Sequence, residues 1–221
     1  MKHYETGDGG LGQSSLQHQQ FSSATIAIRA QKKILSKIIS RNNAKLFVDD
    51  ATIRLFDYLY QILKTAYNKI IAEKVVKNII KLIVKLGVIL RNEQFTAEQQ
   101  NQLSKIQRQM RQLCLTVISF GKVAFSYDYT YLNALLKETY RRLLPLVEQI
   151  LSGKSKQRLD MIFEHLCKNS VLDSLFRADG QHWKLLPKVI TDLEVLIDRK
   201  ELDLNYFSQN YRFVLLVRND P

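Results

Sequence analysis

The stretch IIAEKVVKNIIKLIVKLGVIL, residues 70–90, decides the fold. Its polar residues Glu73, Lys74, Lys77, Asn78, Lys81 and Lys85 recur every third or fourth position and form one narrow stripe at the helical period. Nearly everything else in the stretch is apolar. A helix that is apolar over most of its circumference must touch several neighbours at once, so this segment belongs at the centre of a bundle. The lysines interrupt the run too often for a membrane span.

The segments on either side have the same period. Upstream, ATIAIRAQKKILSKIIS (residues 24–40) aligns Ala27, Ala30, Ile34 and Ile38 on one stripe, with Leu35 and Ile39 beside it. Arg29, Lys33 and Lys37 repeat every fourth residue on another face, which makes a basic amphipathic helix. Asp49 or Asp50 can cap a second helix through Leu55, Tyr58, Leu59 and Ile62. Downstream, Thr96 with Gln99 fits a capping box that opens a helix to about Phe120. Asp128 caps a fifth helix with Pro145 inside it, where a kink is expected, and Gly153 reads as its stop. Ser155 starts a sixth helix, and a last one runs from about Leu185 to Lys200 with Pro187 in its first turn.

The composition agrees with an all-α domain. The 221 residues contain only 8 Gly and 3 Pro, which disfavours a turn-rich β architecture, and 46% are hydrophobic, enough for a core. Residues 1–23 mix Gly, Gln, Ser and His without periodicity and read as a disordered leader. A helical domain follows over 24–202. The tail, 203–221, contains FVLLV and has no assignable structure. Cys114 and Cys167 have no ligand-like spacing, which points to a reducing compartment. With no secretory signal visible, the expected location is cytoplasmic, with peripheral membrane association.

Catalytic patterns are missing. His3 and His18 fall in the leader, and His165 and Cys167, two apart on a helix, face different directions and make a poor metal pair. The fragment SGKS lacks the upstream glycine of a phosphate loop and reads as a helix stop followed by a cap. Asp160 and Glu164 share a face with Arg158 and Lys168 nearby, as a solvated charged surface does. The expectation is a non-enzyme without metal or cofactor.

The net charge of +12 is regional. Residues 24–91 hold 14 Lys and Arg against 4 Asp and Glu, from chain totals of 33 and 21. Such asymmetry points to an anionic partner. Lys32 and Lys33, with Lys37 and Arg41 further on, could hold anionic headgroups, each cation near a charged membrane contributing about 1 kcal/mol; a solvated helix face is the alternative, and the pattern leaves both open. The apolar face of Ile34, Leu35, Ile38 and Ile39 could equally pack on the domain or enter a bilayer interface. Nucleic acid is less favoured, because the aromatic residues follow core spacing and no zinc-finger or RNA-recognition signature is present.

The ordered set AQKKILSKI, LFVDD, AEKVVKNIIKLIVKLGVILRN, LTVISFGKV, LSGKSKQR and IFEHL resembles the tumour necrosis factor-α-induced protein 8 family, over about Ala24 to Leu202. The resemblance implies about six helices around a deep apolar cavity, preceded by a basic amphipathic helix. It also implies binding of phosphoinositides and other lipids, with roles in apoptosis, inflammation and lipid signalling. By position, the implied headgroup contacts are Lys32, Lys33, Arg41 and Arg91. A further family arginine aligns near Gln107, where Arg108 or Arg111 could substitute. Ala124 stands where the family has an aspartate. The resemblance further implies that part of the 70–90 surface lines the cavity, which periodicity alone reads as core.

Two readings follow. The first is a phosphoinositide- or lipid-binding or lipid-transfer protein at the cytoplasmic membrane face. The second is a helical adaptor that contacts other signalling proteins in cell death. For the latter, Arg158, Leu159, Asp160 and Met161 approximate the R-x-D-L pattern of death-effector domains, with Met in place of Leu.

Overall fold

The computed structural model describes residues 21–35, 49–91 and 95–198, with the side chains of residues 33–35, 90 and 91 outside that description. Eight α-helices lie among the described residues: α1 (Ser23–Leu35), α2 (Asp50–Ala66), α3 (Lys69–Arg91), α4 (Ala97–Lys122), α5 (Tyr129–Ile150), α6 (Gly153–Leu166), α7 (Asn169–Phe176) and α8 (Leu186–Asp198). A short 3-10 turn, Trp183–Leu185, leads into α8. The architecture is all-α over this span, a helical bundle with the basic amphipathic helix in front of it.

As its sequence requires, α3 is central. Helices α1, α2 and α6 pack against it, and Ala72, Val75, Val76, Ile80 and Val84 are closed to solvent. Each such Val or Ile contributes about 1.5–3 kcal/mol on leaving water. Phe56, Ile62 and Leu63 of α2, Leu159 and Ile162 of α6 and Ala27 of α1 join the same core. A second core between α4, α5, α7 and α8 holds Ile118, Leu132, Leu136, Leu172, Phe176, Leu186 and Ile190. A third, Phe95, Leu103, Ile106 and Leu146, closes the start of α4 against α5.

Three helix starts follow the local capping chemistry. Asp49 accepts the Thr52 N–H at 3.0 Å and Asp128 accepts the Tyr131 N–H at 3.0 Å. Thr96 and Gln99 make the reciprocal pair of a capping box, at 3.2 and 3.0 Å. Helix α5 runs through Pro145, which is exposed. The donor that proline lacks would have reached the carbonyl of Arg141, itself an exposed residue, so water can satisfy it.

The structure corrects four expectations. Phe21 to Ser23 belong to the fold: the Phe21 ring stacks on Tyr60 with centroids 4.0 Å apart, and Ser23 is buried. Gly153 does not stop α5, which ends two residues earlier with Leu151 in an extended conformation; Gly153 instead opens α6. Ser155 is therefore inside α6, completely buried, and not its cap. Helix α7 was not anticipated, because eight residues are too few to show a periodic stripe. The first helix beyond Leu35, the leader up to residue 20 and the chain from residue 199 on lie outside the described residues.

Helix α8 is fastened to α2 by a bidentate ion pair. Arg54 Nε lies 3.1 and 3.0 Å from the two oxygens of Asp192, and Nη2 is 2.5 Å from Oδ1. On its other side α8 crosses α4 at Gly121. A Cβ built there would lie 2.2 Å from Ile190 Cδ1 and 3.2 Å from Leu186 Cγ. Gly121→Ala is expected to lose about 1–3 kcal/mol, the range for overpacking. Ile190→Val, which removes Cδ1, should recover part of that loss in the double variant. Urea unfolding of the four proteins measures this, and additive losses would refute the close approach.

Candidate functional site

The basic surface begins on α1. Ala27 and Gln31 are buried and Ala30 is half-buried, so this face packs on the bundle, mainly on α3. Small residues let the helix backbones approach closely. On the opposite face Thr25, Ile28, Arg29 and Lys32 are exposed at spacings of three and four. Ile34, Leu35, Ile38 and Ile39, for which the sequence left packing or bilayer entry open, lie outside the described side chains; over Ser23–Gln31 the face of Ala27 and Ala30 packs. Helix α1 contains no acidic residue.

Of the six residues singled out from the sequence, two have described side chains. Lys32 projects into solvent from α1, and Arg108 is exposed on α4. Lys33 lies on the α1 backbone and Arg91 ends α3, but their side chains are outside the description; Lys37 and Arg41 lie outside the described residues altogether. Lys32 and Arg108 stand on helices with different main neighbours, α3 and α2 for α1 against α5 and α8 for α4. Arg108 shares a shallow groove of about 380 Å³ with Arg111, Gln112, Leu115, Thr116 and Ser119. Both arginines proposed to replace the cation missing at Gln107 therefore line one depression.

A larger groove, about 550 Å³, follows the lysine stripe of α3 and is lined by Lys69, Ile70, Glu73, Lys74, Lys77, Asn78 and Lys81. Lys77 pairs with Glu73 at 2.7 Å, and buried Asn78 donates to Met161 Sδ of α6 at 3.4 Å. One turn beyond Lys81, the half-buried Lys85 donates to Ser155 Oγ of α6 at 2.9 Å. Burial, and then the charges of Arg158 and Lys81, hold its ammonium below the ordinary lysine pKa. The sequence reading placed Lys85 in the stripe but missed Ser155 and Arg158; their spacing of three on α6 was the available signal. Several apolar side chains beside these cations are also exposed, among them Ile28, Ile70 and Leu115.

The residues weighed for catalysis or docking are engaged internally. His165 Nδ1 lies 2.8 Å from the Met161 carbonyl, and its ring meets Tyr67 edge-on. Burial pushes the Cys114 thiol up to about 11, so it is neutral at physiological pH. Within the R-x-D-L-like tetrad, Leu159 is buried, Asp160 accepts the Tyr140 hydroxyl at 2.7 Å and Met161 accepts from Asn78. Among the described residues no three His, Cys, Asp or Glu side chains converge as metal ligands, and no helix is long and apolar enough to cross a membrane.

A family model described as tumor necrosis factor alpha-induced protein 8-like matches residues 21–200. The chain is 34% identical over 199 residues to tumor necrosis factor alpha-induced protein 8-like protein 3 of Xenopus laevis, covering 90% of this chain and 98% of that one. It is 36% identical over 183 residues to the protein salivary glands marred of Drosophila melanogaster, 82% and 97% of the two chains. Human tumor necrosis factor alpha-induced protein 8 is 32% identical over 183 residues, 82% and 92%.

His182, before the 3-10 turn, keeps its Nε2 buried without a hydrogen-bond partner, and burial lowers its pKa from 6.5. A depressed folded-state pKa means that the unfolded chain takes up the proton first on acidification. Stability is therefore expected to fall as pH drops from about 6.5 through the lower folded value. His182→Gln should flatten that slope in urea midpoints measured from neutral to mildly acidic pH. Equal slopes in the two proteins would exclude His182 as the cause.

Proposed function

The chain belongs to the tumour necrosis factor-α-induced protein 8 family, and on that footing we propose that it is a non-catalytic protein that binds anionic lipids, phosphoinositides above all, at a cytoplasmic membrane surface. The observation that carries this reading is α1. One face is committed to the bundle through Ala27, Ala30 and Gln31, and the other displays Arg29 and Lys32 with the exposed Ile28 at its edge. A cationic face with apolar side chains at its edge suits the headgroup region, where charge attraction and apolar burial act together. Lys33, Lys37 and Arg41 extend the same run of positive charge in the sequence. The Arg108–Arg111 groove on α4 is a second cationic place on the surface, apart from α1. The acyl part of the reading rests on the family resemblance, which implies an apolar cavity lined in part by α3.

The adaptor reading has less support. Three of the four residues of its tetrad are held by contacts inside the bundle, which leaves little of it for a partner.

Sedimentation with phosphatidylcholine vesicles, with or without phosphatidylinositol bisphosphate, tests the lipid reading. The full chain should pellet with the phosphoinositide vesicles, and Lys32→Glu with Lys33→Glu should weaken binding about tenfold or more, since each reversal removes an attraction and adds a repulsion. Binding unchanged in that variant would overturn the α1 site. Native mass spectrometry of the purified protein tests the acyl part, which predicts a co-purifying lipid.

A further inference from the structure

The corner between α4 and α5 carries an apolar point that the fold does not use. Of the seven large apolar side chains exposed among the described residues, four, Leu115, Val123, Phe125 and Tyr131, lie between residues 115 and 131. Phe125 is 106% exposed, so no part of the bundle covers its ring, and Val123 beside it is 55% exposed. Phe125 also has a φ of 61°, in the left-handed region, and is alone in this among the described non-glycine residues. A bulky side chain there is a cost that glycine would not carry. The corner is nevertheless held firmly after that residue. The Ser126 hydroxyl donates to the Val123 carbonyl at 2.6 Å, and the Ser126 N–H reaches the same oxygen at 3.2 Å. The Tyr127 ring stacks on Phe176 of α7 with centroids 5.0 Å apart, and its hydroxyl donates to Asp173 at 2.7 Å. Residues 123–127 carry no charge, Lys122 pairs with Glu194 of α8, and Asp128 caps α5.

A phenyl ring held in water on strained backbone contributes nothing to folding, and what it suits is an apolar phase outside the chain. Its size says which one. An exposed phenylalanine offers roughly 200 Å² and the half-exposed valine less, whereas a stable protein–protein interface takes about 800 Å² from each partner. A single projecting ring falls well short of that, and a bilayer needs no complementary surface. We infer that Phe125, with Val123 beside it, is a membrane-inserting point that enters the boundary between headgroups and acyl chains. A backbone already held avoids the entropy loss of ordering a loop on contact. The inference rests on the membrane reading above but not on its α1 site. It adds a contact that salt does not screen, because burying a ring involves no net charge.

The test places one indole at the point: Phe125→Trp in the full chain, combined with Trp183→Phe. Phosphatidylcholine vesicles with or without phosphatidylinositol bisphosphate are added, and then the same vesicles made with lipids brominated near the carbonyl end of the acyl chains. On the vesicles that bind, the emission should shift to the blue and be quenched by the brominated lipids. Pelleting with an unshifted, unquenched indole overturns the inference and leaves the α1 reading standing. No pelleting with any vesicle overturns both. A shifted indole that persists at full affinity when Lys32→Glu and Lys33→Glu are added supports the point and removes the α1 site. Phe125→Asn removes the ring and keeps a residue that accepts the left-handed conformation. It should weaken vesicle binding about tenfold, by the same factor at low and at high salt, with Phe125→Leu near normal. Its urea midpoint should equal or exceed that of the parent chain. A lower midpoint would show the ring supporting the fold, and unchanged binding would show it idle; either overturns the point. So does a dimer in solution that is lost in Phe125→Asn, which assigns the ring to a second copy of the chain.

Discussion

The structure depends on how α3 reconciles burial with charge. Three helices cover it, and five of its aliphatic side chains meet no solvent, yet the same helix carries five lysines from Lys69 to Lys85. A lysine can follow an apolar surface with its stem and keep its ammonium in water, so the stripe is compatible with burial only if it stays at one edge. Lys74 and Lys81 are exposed at that edge, Lys77 is paired with Glu73, and Lys85 reaches the hydroxyl of Ser155. The remaining helices are arranged to leave that edge open, and the groove along α3 results from it.

Helix α1 solves the complementary problem. It must dock without spending its cations, and it does so through small residues. Alanines at 27 and 30 bring the helix close to α3, while the Phe21–Tyr60 stack anchors its start. The amphipathic pattern therefore has two uses on two faces of one helix, and over the described turns they do not compete. A bulky residue at position 27 would lift the helix away from α3 and change where the basic face points.

The parts of the fold that were legible in the sequence are those governed by local chemistry. The starts of α2, α4 and α5 depend on a side chain and a backbone N–H three residues away, and Asp49, Thr96 with Gln99, and Asp128 announce them. The central place of α3 was legible because a nearly all-round apolar helix has one physical solution. Gly153 was misread because a glycine after a helical stripe has the same appearance whether it ends one helix or begins the next. The backbone conformation that distinguishes the two is not written in the residue. Lys32 was legible as one of the cations of the basic first helix, whereas Arg108 entered only through the family resemblance; both are exposed. The company Lys85 keeps was not legible, because Ser155 and Arg158 reach it only through the way α3 and α6 cross.

Two polar contacts between helices show what the chain does when it buries charge. At the α2–α8 crossing the carboxylate of Asp192 is almost wholly enclosed, with 6% of its side chain exposed, and the chain answers it with a bidentate guanidinium that stays half in water, at 49%. The desolvated member is fully paired, and the solvated member bears little penalty. A buried ion pair persists on those terms, since removing one partner leaves a charge with neither water nor counter-ion. At the α3–α6 crossing the terms are reversed: the half-buried group is a cation, its partner is a neutral hydroxyl, and the neighbouring Arg158 adds positive charge in place of removing it. A structural role alone would be met better by a carboxylate, or by an apolar residue of similar size. A lysine is tolerated there because its ammonium stays partly in water, as the guanidinium of Arg54 does, and gives only one proton to the hydroxyl.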